Sequence, residues 1–459
     1  MGSFVMPFTQ FSVKIGAVVV FGFGFAFVMF LTRFSRSMIY FALSIALILY
    51  IDFYLVHVDH SGVAHGINLS VVDFLVMVLI ARRVIFSHEY VKIDTVDKHW
   101  NHGIWAALFL LITFSLSIVN SQYPTLTFYA LIHYIKLFVF LLVVVFDVLN
   151  ENDLTNMITF FTIALLVINL YCMFQFITRI NITVSFQVHE DPIWYEGPFV
   201  PVGPVGSANI TAGQIIGLAP FALATAFRHP HWVFRLGANL ILLLSTFTLV
   251  LTNSRASWGM YLVSMVLMLF ILTLKKKISY KYLVAVAILG VLVIAVAIPI
   301  VVQKVDVSEL TDLKNIYARF NLLRTSFMMV MDHPLLGVGL NTYTKLMMEY
   351  IPSIVLKFEW NYMVHNKYML VWSETGTLGF IAYLTFLATI YKLLLSSIRN
   401  LNGDLIWVAV SIFCSLVAMN LHMLFETYSG GSIVFFFWLL CGLAIALSRI
   451  TTSTVYQTQ

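Results

Sequence analysis

The 459-residue chain is 61% hydrophobic and only 10% charged, and Phe alone occurs 40 times. A soluble domain carries roughly 25% charged residues, so a soluble fold, a disordered chain and a nucleic-acid-binding role are all excluded. The small net charge of +5 matters less than where the Lys and Arg residues fall.

Apolar runs of about 20 residues recur along the sequence, as bilayer-spanning helices require. Candidate spans are 12–31, 37–56, 67–86, 103–120, 126–148, 155–177, 207–227, 234–252, 256–274, 281–302, 367–391, 404–421 and 432–448. This predicts one all-α, polytopic transmembrane domain over 1–459 with about 12–13 transmembrane helices. The first run has no cationic segment before it and no small-residue cleavage site after it, so it reads as a retained span. Cys172, Cys414 and Cys441 all lie in apolar runs, without disulfide or CxxC spacing.

Short-loop cations alternate. Arg33/Arg36, Arg82/Arg83 with Lys92 and Lys98, Arg228/Arg235, Lys275–Lys277 with Lys281, Lys392/Arg399, and Arg449 fall on one side. The positive-inside trend assigns that side to the cytoplasm. Segments 57–66, 178–205, 253–255, 303–366 and 422–431 then lie outside. Two of them are long: 178–206, rich in Pro and Gly, and 303–366. In the second, Ile316, Phe320, Leu323, Phe327 and Val330 give one apolar helix face, flanked by Arg319 and Arg324. His333-Pro334 should end that helix, and Gly337-Val338-Gly339 should turn.

Several residues can carry chemistry. Lys136 sits inside the fifth span, Asp73 opens the third and the second holds Asp52; a charge at such depth lines a cavity, pairs within the membrane or snorkels to the interface. Asn253-Ser254-Arg255-Ala256-Ser257-Trp258 makes a hairpin too tight to keep Arg255 from the membrane surface. Read alone, it is a headgroup anchor. His365 stands where the outside loop re-enters the membrane, and Asn366 is placed to cap the next helix. His57-Val58-Asp59-His60 with His65 is either a solvated loop or a metal site.

The stretch HPLLGVGLNTY (333–343), followed by His365-Asn366-x9-Gly376-xx-Gly379, resembles the O-antigen ligase / Wzy polymerase superfamily. The SRASW hairpin and the segment from Gly197-Pro198 to Asn209 add to the likeness, which covers about 197–380. The first 190 residues share only many spans and an acid, Asp73, at the start of the third. The resemblance implies a GT-C-like, multi-pass enzyme of the bacterial inner membrane with its active site facing the periplasm. The donor would be a glycan on undecaprenyl diphosphate, and the acceptor a glycan or lipid A–core. No cofactor and no metal would be needed. Membrane lipid and a chain-length regulator are further expected partners, and nucleic acid is not.

Chemistry agrees with that picture. A lipid diphosphate leaving group needs cationic stabilisation, which the planar, always-charged guanidinium provides. Arg255 is the first candidate diphosphate ligand, followed by Arg319 and Arg324. His365 is the candidate base. Glu374 is a looser candidate to orient His365 or the acceptor, because nine residues of helix set it two turns deeper. Length and span number favour polymerisation of repeat units over ligation to lipid A–core. A transporter built around Lys136, Asp52 and Asp73 is the rival from another class, although no inverted repeat supports it.

Overall fold

The computed structural model describes residues 30–58, 62, 64–86, 99–184, 188–189, 199–284, 317–351, 362–428 and 431–457. The predicted first and tenth spans, Asp59-His60, Lys92, Lys98, Gly197-Pro198 and Ile316 lie wholly or almost wholly outside these residues.

The helices are α1 (Arg36–Leu49), α2 (Val71–Ile85), α3 (Asn101–Leu116), α4 (Pro124–Asp147), α5 (Glu151–Thr178), α6 (Ala208–Arg228), α7 (Trp232–Leu251), α8 (Arg255–Leu274), α9 (317–332), α10 (Tyr343–Tyr350), α11 (Lys367–Asn400), α12 (Leu405–His422) and α13 (Gly431–Gln457). Among the described residues, nine helices are long and apolar enough to cross a membrane. The protein is therefore an all-α polytopic membrane protein, as its composition requires.

One stretch departs from expectation. The predicted second span, 37–56, stops at Leu49, where Tyr50 turns left-handed and its N–H returns to Ala46 O. The following residues form strand β1 (Asp52–His57), antiparallel to β2 (Gly66–Ser70). Phe53, Tyr54 and Val56 are aromatic or β-branched and suit a strand better than a helix end. β2 runs directly into α2, where Ser70 and Asp73 form a reciprocal capping box. The acid at the start of the third predicted span is thus a helix cap.

α6, α12 and α13 form the centre, buried over 89%, 83% and 94% of their apolar lengths, against 22% for α7 and 33% for α8. Lipid offers no hydrophobic drive between helices, so small residues and polar glue decide this order. Gly213 and Gly217 of α6 lie against Tyr428, Ile433, Phe436 and Met419, where any added carbon would overlap. Ser415 donates to Gly217 O at 2.6 Å, Gln214 to Ser432 at 2.8 Å and Asn169 to Ser245 at 2.7 Å.

The cations on predicted cytoplasmic loops cap helix ends. Arg82 donates to Thr32 O and Phe34 O, Arg83 to Phe146 O, Arg449 to Val148 O, and Lys275 to Arg399 O. Arg228 pairs with Asp404 at 3.0 Å. These contacts go to carbonyls or a carboxylate at or near the ends of neighbouring helices.

At the opposite helix ends, residues 333–343 form an irregular strap. α9 ends at His333-Pro334 as expected. Gly337 (φ 70°) and Gly339 (φ 107°) then let the chain run along α11, with Val338 N bonded to Ser373 O, Gly339 N to Glu374 O and Thr377 N to Pro334 O. This is possible because α11 breaks at Gly376 (φ 65°, ψ −174°). A Cβ there would stand 2.3 Å from the Leu335 carbonyl atoms. Gly376→Ala is expected to cost about 3 kcal/mol or more from strain and overlap. Thermal unfolding of purified protein checks this, with Gly403→Ala, which meets nothing within 4 Å, unchanged.

Candidate functional site

The turn between α7 and α8 shows what each residue of the SRASW motif does. Ser254 O accepts Ser257 N at 3.0 Å and Trp258 N at 3.3 Å, which closes the first turn of α8. Trp258 Nε1 donates to Leu249 O at 2.7 Å and staples α8 back to α7. Ser254 Oγ bonds Ser257 Oγ at 2.9 Å, and Ser257 Oγ bonds His422 Nε2 at 2.9 Å. Ser254 and Ser257 are buried, whereas Arg255, at the helix N-terminus, and Trp258 are exposed.

The start of α11 is tied to the 423–428 segment that joins α12 to α13. Asn366 Oδ1 caps α11 by accepting Met369 N at 2.9 Å, as the sequence suggests, and its Nδ2 donates to Leu424 O at 3.1 Å. Lys367 N donates to Met423 O at 2.8 Å. These bonds bring His365 to Glu426, with Nδ1 to Oε1 at 3.5 Å. The contact is longer than an optimal hydrogen bond, and His365 Nδ1 has no hydrogen-bond partner among the described residues. Glu426 Oε1 also accepts Thr427 N at 3.1 Å. Burial opposes its ionisation, but the His365 imidazole, the Thr427 N–H and His422 outweigh that and hold the carboxyl below its usual range.

His422 joins the two halves. Its Nε2 meets Ser257 of the arginine hairpin, and its Nδ1 meets Tyr428 OH at 2.9 Å. The arginine hairpin and the start of α11 are therefore both tied to one short segment, 422–428.

The other sequence candidates divide. Arg319 and Arg324 are exposed on α9 and have no ion-pair partner among the described residues. α9 presents Phe320, Leu323 and Phe327 outward, 64%, 37% and 48% exposed. It buries instead a face that includes Ala318, Leu322, Ser326 and Met329. That face packs on Val338, Tyr343, Leu346, Val364 and Leu370, in a small core distinct from the main one. The predicted apolar periodicity thus marks a largely outward stripe, from which only Val330 turns in among the described residues, while the contact face sets Leu322 and Met329 among small and polar residues. Through Val364, the same small core adjoins His365.

Glu374 does not reach His365. It is buried and its Oε1 accepts Tyr343 N at 3.2 Å, with the Asn341 and Thr342 N–H groups also facing it. It caps α10 from outside that helix. The carboxylate beside His365 is Glu426, which sequence reasoning passed over. Its one signal was an acid in a short apolar loop. Lys136 takes the paired alternative: Nζ contacts Asp73 Oδ2 and Asn68 O, both at 2.8 Å, and Asn68 reaches Asp52 at 2.8 Å. Of the His-rich loop, His57 and His65 both pack edge-on to Tyr54. Asp59 and His60 are outside the described residues.

A family model described as O-antigen ligase matches residues 240–384. That stretch holds the second half of α7, the arginine hairpin, Arg319, Arg324, the strap and His365, but neither His422 nor Glu426. The match bears out the resemblance read from the motifs and supports an O-antigen ligase- or polymerase-type membrane enzyme. No curated protein matches the chain.

The lowered Glu426 carboxyl has a thermodynamic consequence. It stabilises the fold above the unfolded-state Glu value of about 4.3, and this stabilisation is lost as pH falls through its lower folded-state value. Glu426→Gln is expected to shrink the drop in melting temperature between about pH 5 and about pH 3. A drop as steep as wild type would contradict the contact. Lys136→Ala should destabilise by about 2–4 kcal/mol, because it strands Asp73, and Lys136→Met with Asp73→Asn should recover most of this.

Proposed function

We propose that this chain is a membrane glycosyltransferase that moves a lipid-diphosphate-linked glycan onto a sugar hydroxyl at the extracytoplasmic face. The observation that carries the reading is the linkage of Arg255 to the His365–Glu426 pair through residues 422–428. The family match supports the class of reaction. The lipid carrier is read as undecaprenyl diphosphate.

The chemistry follows from the side chains. With Nδ1 of His365 turned to Glu426, Nε2 is left for the acceptor. It takes the hydroxyl proton as the acceptor oxygen attacks the anomeric carbon. The carbon–oxygen bond to the diphosphate breaks, and its electron pair stays on the leaving oxygen. Arg255 stabilises that charge with two parallel donors, and Arg319 and Arg324 are further cations for the same anion. Glu426 stabilises the imidazolium, which afterwards releases its proton to solvent. Positive charge comes from guanidinium groups, so no metal is required. Activity in EDTA should equal that without it.

Repeat-unit polymerisation is the preferred reaction, with ligation to lipid A–core as the alternative. Loss of long chains while single repeats still attach, in cells lacking the protein, indicates a polymerase. Loss of all attached glycan with lipid-linked polymer accumulating indicates a ligase. The transporter reading loses ground because Lys136, Asp73, Asn68 and Asp52 satisfy one another.

His365→Ala should lower transfer by about 10²–10⁴-fold and Arg255→Ala by about 10² or more, with normal insertion. Arg255→Lys should fail as well, since a point charge cannot make the two-pronged contact. Wild-type turnover in either alanine variant would remove that residue from the mechanism.

A further inference from the structure

His422 lies outside the matched family segment and does not border solvent, being 1% exposed at the last turn of α12. Both ring nitrogens are used, each at 2.9 Å: Nε2 on Ser257 and Nδ1 on Tyr428. A neutral imidazole has one donor and one acceptor nitrogen, so the bonds Ser254–Ser257–His422–Tyr428 all point the same way along the chain. The two partners belong to different parts of the site. Ser257 is two residues from Arg255, one half-turn along α8. Tyr428 is two residues from Glu426, in the turn before α13, where it holds a left-handed conformation (φ 46°). Tyr428 is also wedged against Gly213 of the central helix α6, so it cannot shift without displacing the core. Two independently anchored elements, a hairpin carrying the cation and a loop carrying the base's carboxylate, thus meet on one ring.

We propose that His422 is a positioning residue that fixes the diphosphate-binding Arg255 relative to the Glu426–His365 pair, through one ring nitrogen for each. This rests on the function proposed above. The residue touches neither donor nor acceptor. Its effect is transmitted, so each of its bonds controls a different kinetic parameter. The Ser257 bond sets affinity for the lipid diphosphate, and the Tyr428 bond sets turnover.

The test uses the full-length chain in nanodiscs. Undecaprenyl diphosphate is the binding probe, and transfer from an undecaprenyl-diphosphate-linked repeat unit gives turnover per folded protein. Ser257→Ala should weaken probe binding about tenfold, the worth of one buried hydrogen bond, and leave turnover at saturation within about twofold. Tyr428→Phe should do the reverse. His422→Ala should do both. Gln places its amide near the position of Nε2 and Asn near that of Nδ1, so His422→Gln should restore binding alone and His422→Asn turnover alone. A merely structural histidine would lower the melting temperature and the folded yield while leaving both parameters of the folded fraction at wild-type values, and that result overturns the proposal. So does a Ser257→Ala or Tyr428→Phe variant that moves both parameters together. If His422→Ala does not fold, these two single-hydroxyl variants decide the matter. Arg255→Ala in the same assay separates the two ideas. If it binds the probe like wild type, the diphosphate role fails, whatever His422 does.

Discussion

A backbone that leaves helical geometry next to a bilayer must find partners for every N–H and C=O it frees. Residues 333–343 meet this demand by spreading over four parts of the molecule. Val338 and Gly339 bond the opened turn of α11, and Leu340 O takes the Thr127 hydroxyl of α4 at 2.9 Å. Asn341, left-handed at φ 66°, exchanges bonds of 3.1 and 2.9 Å with Ala64 between the two strands. Asn120 adds a bond of 2.8 Å to Gly337 O. The strap can lie there because Gly337 and Gly376 lack a side chain where backbones touch, and Gly339 lacks one where Ser121 packs. Glu374 finishes the arrangement by accepting the N–H that opens α10.

This strap and the 422–428 segment share the work of building the site. The strap fixes α9, with its two arginines, to the first turns of α11 through the small core around Tyr343 and Met347. The 422–428 segment fixes the same turns of α11 from the other side and ties them to the arginine hairpin. His365 sits between the two. Cation and imidazole thus come from helices far apart in sequence, held by short polar contacts rather than by the apolar core. Apolar packing against lipid is non-directional, so close packing at small residues and interhelical hydrogen bonds fix the register between spans.

Charges at membrane depth follow the same rule of mutual satisfaction. Lys136, Asp73, Asn68 and Asp52 close on one another, and the capping box at Ser70 uses the same Asp73 oxygen. At the opposite helix ends, the arginines close on carbonyls. On the side that carries His365, Arg319 and Arg324 of α9 are exposed cations without an ion-pair partner among the described residues.

Composition and pattern alone determined the class of fold, most spans, the tight arginine hairpin, the Asn366 cap and the end of α9 at His333-Pro334. Each of these is local. Apolar run length, a capping side chain or a helix-breaking pair acts within a few residues and so is written in neighbouring letters. The strand pair after α1 was missed because an apolar run of aromatic and β-branched residues reads as span or strand until its partner is known. Only the tertiary structure decided that Glu426 and not Glu374 faces His365, that Lys136 pairs with Asp73, and that His422 bridges Ser257 and Tyr428. Those contacts join residues as much as 165 positions apart. Packing angle and helix rotation set them, and no single helix encodes either.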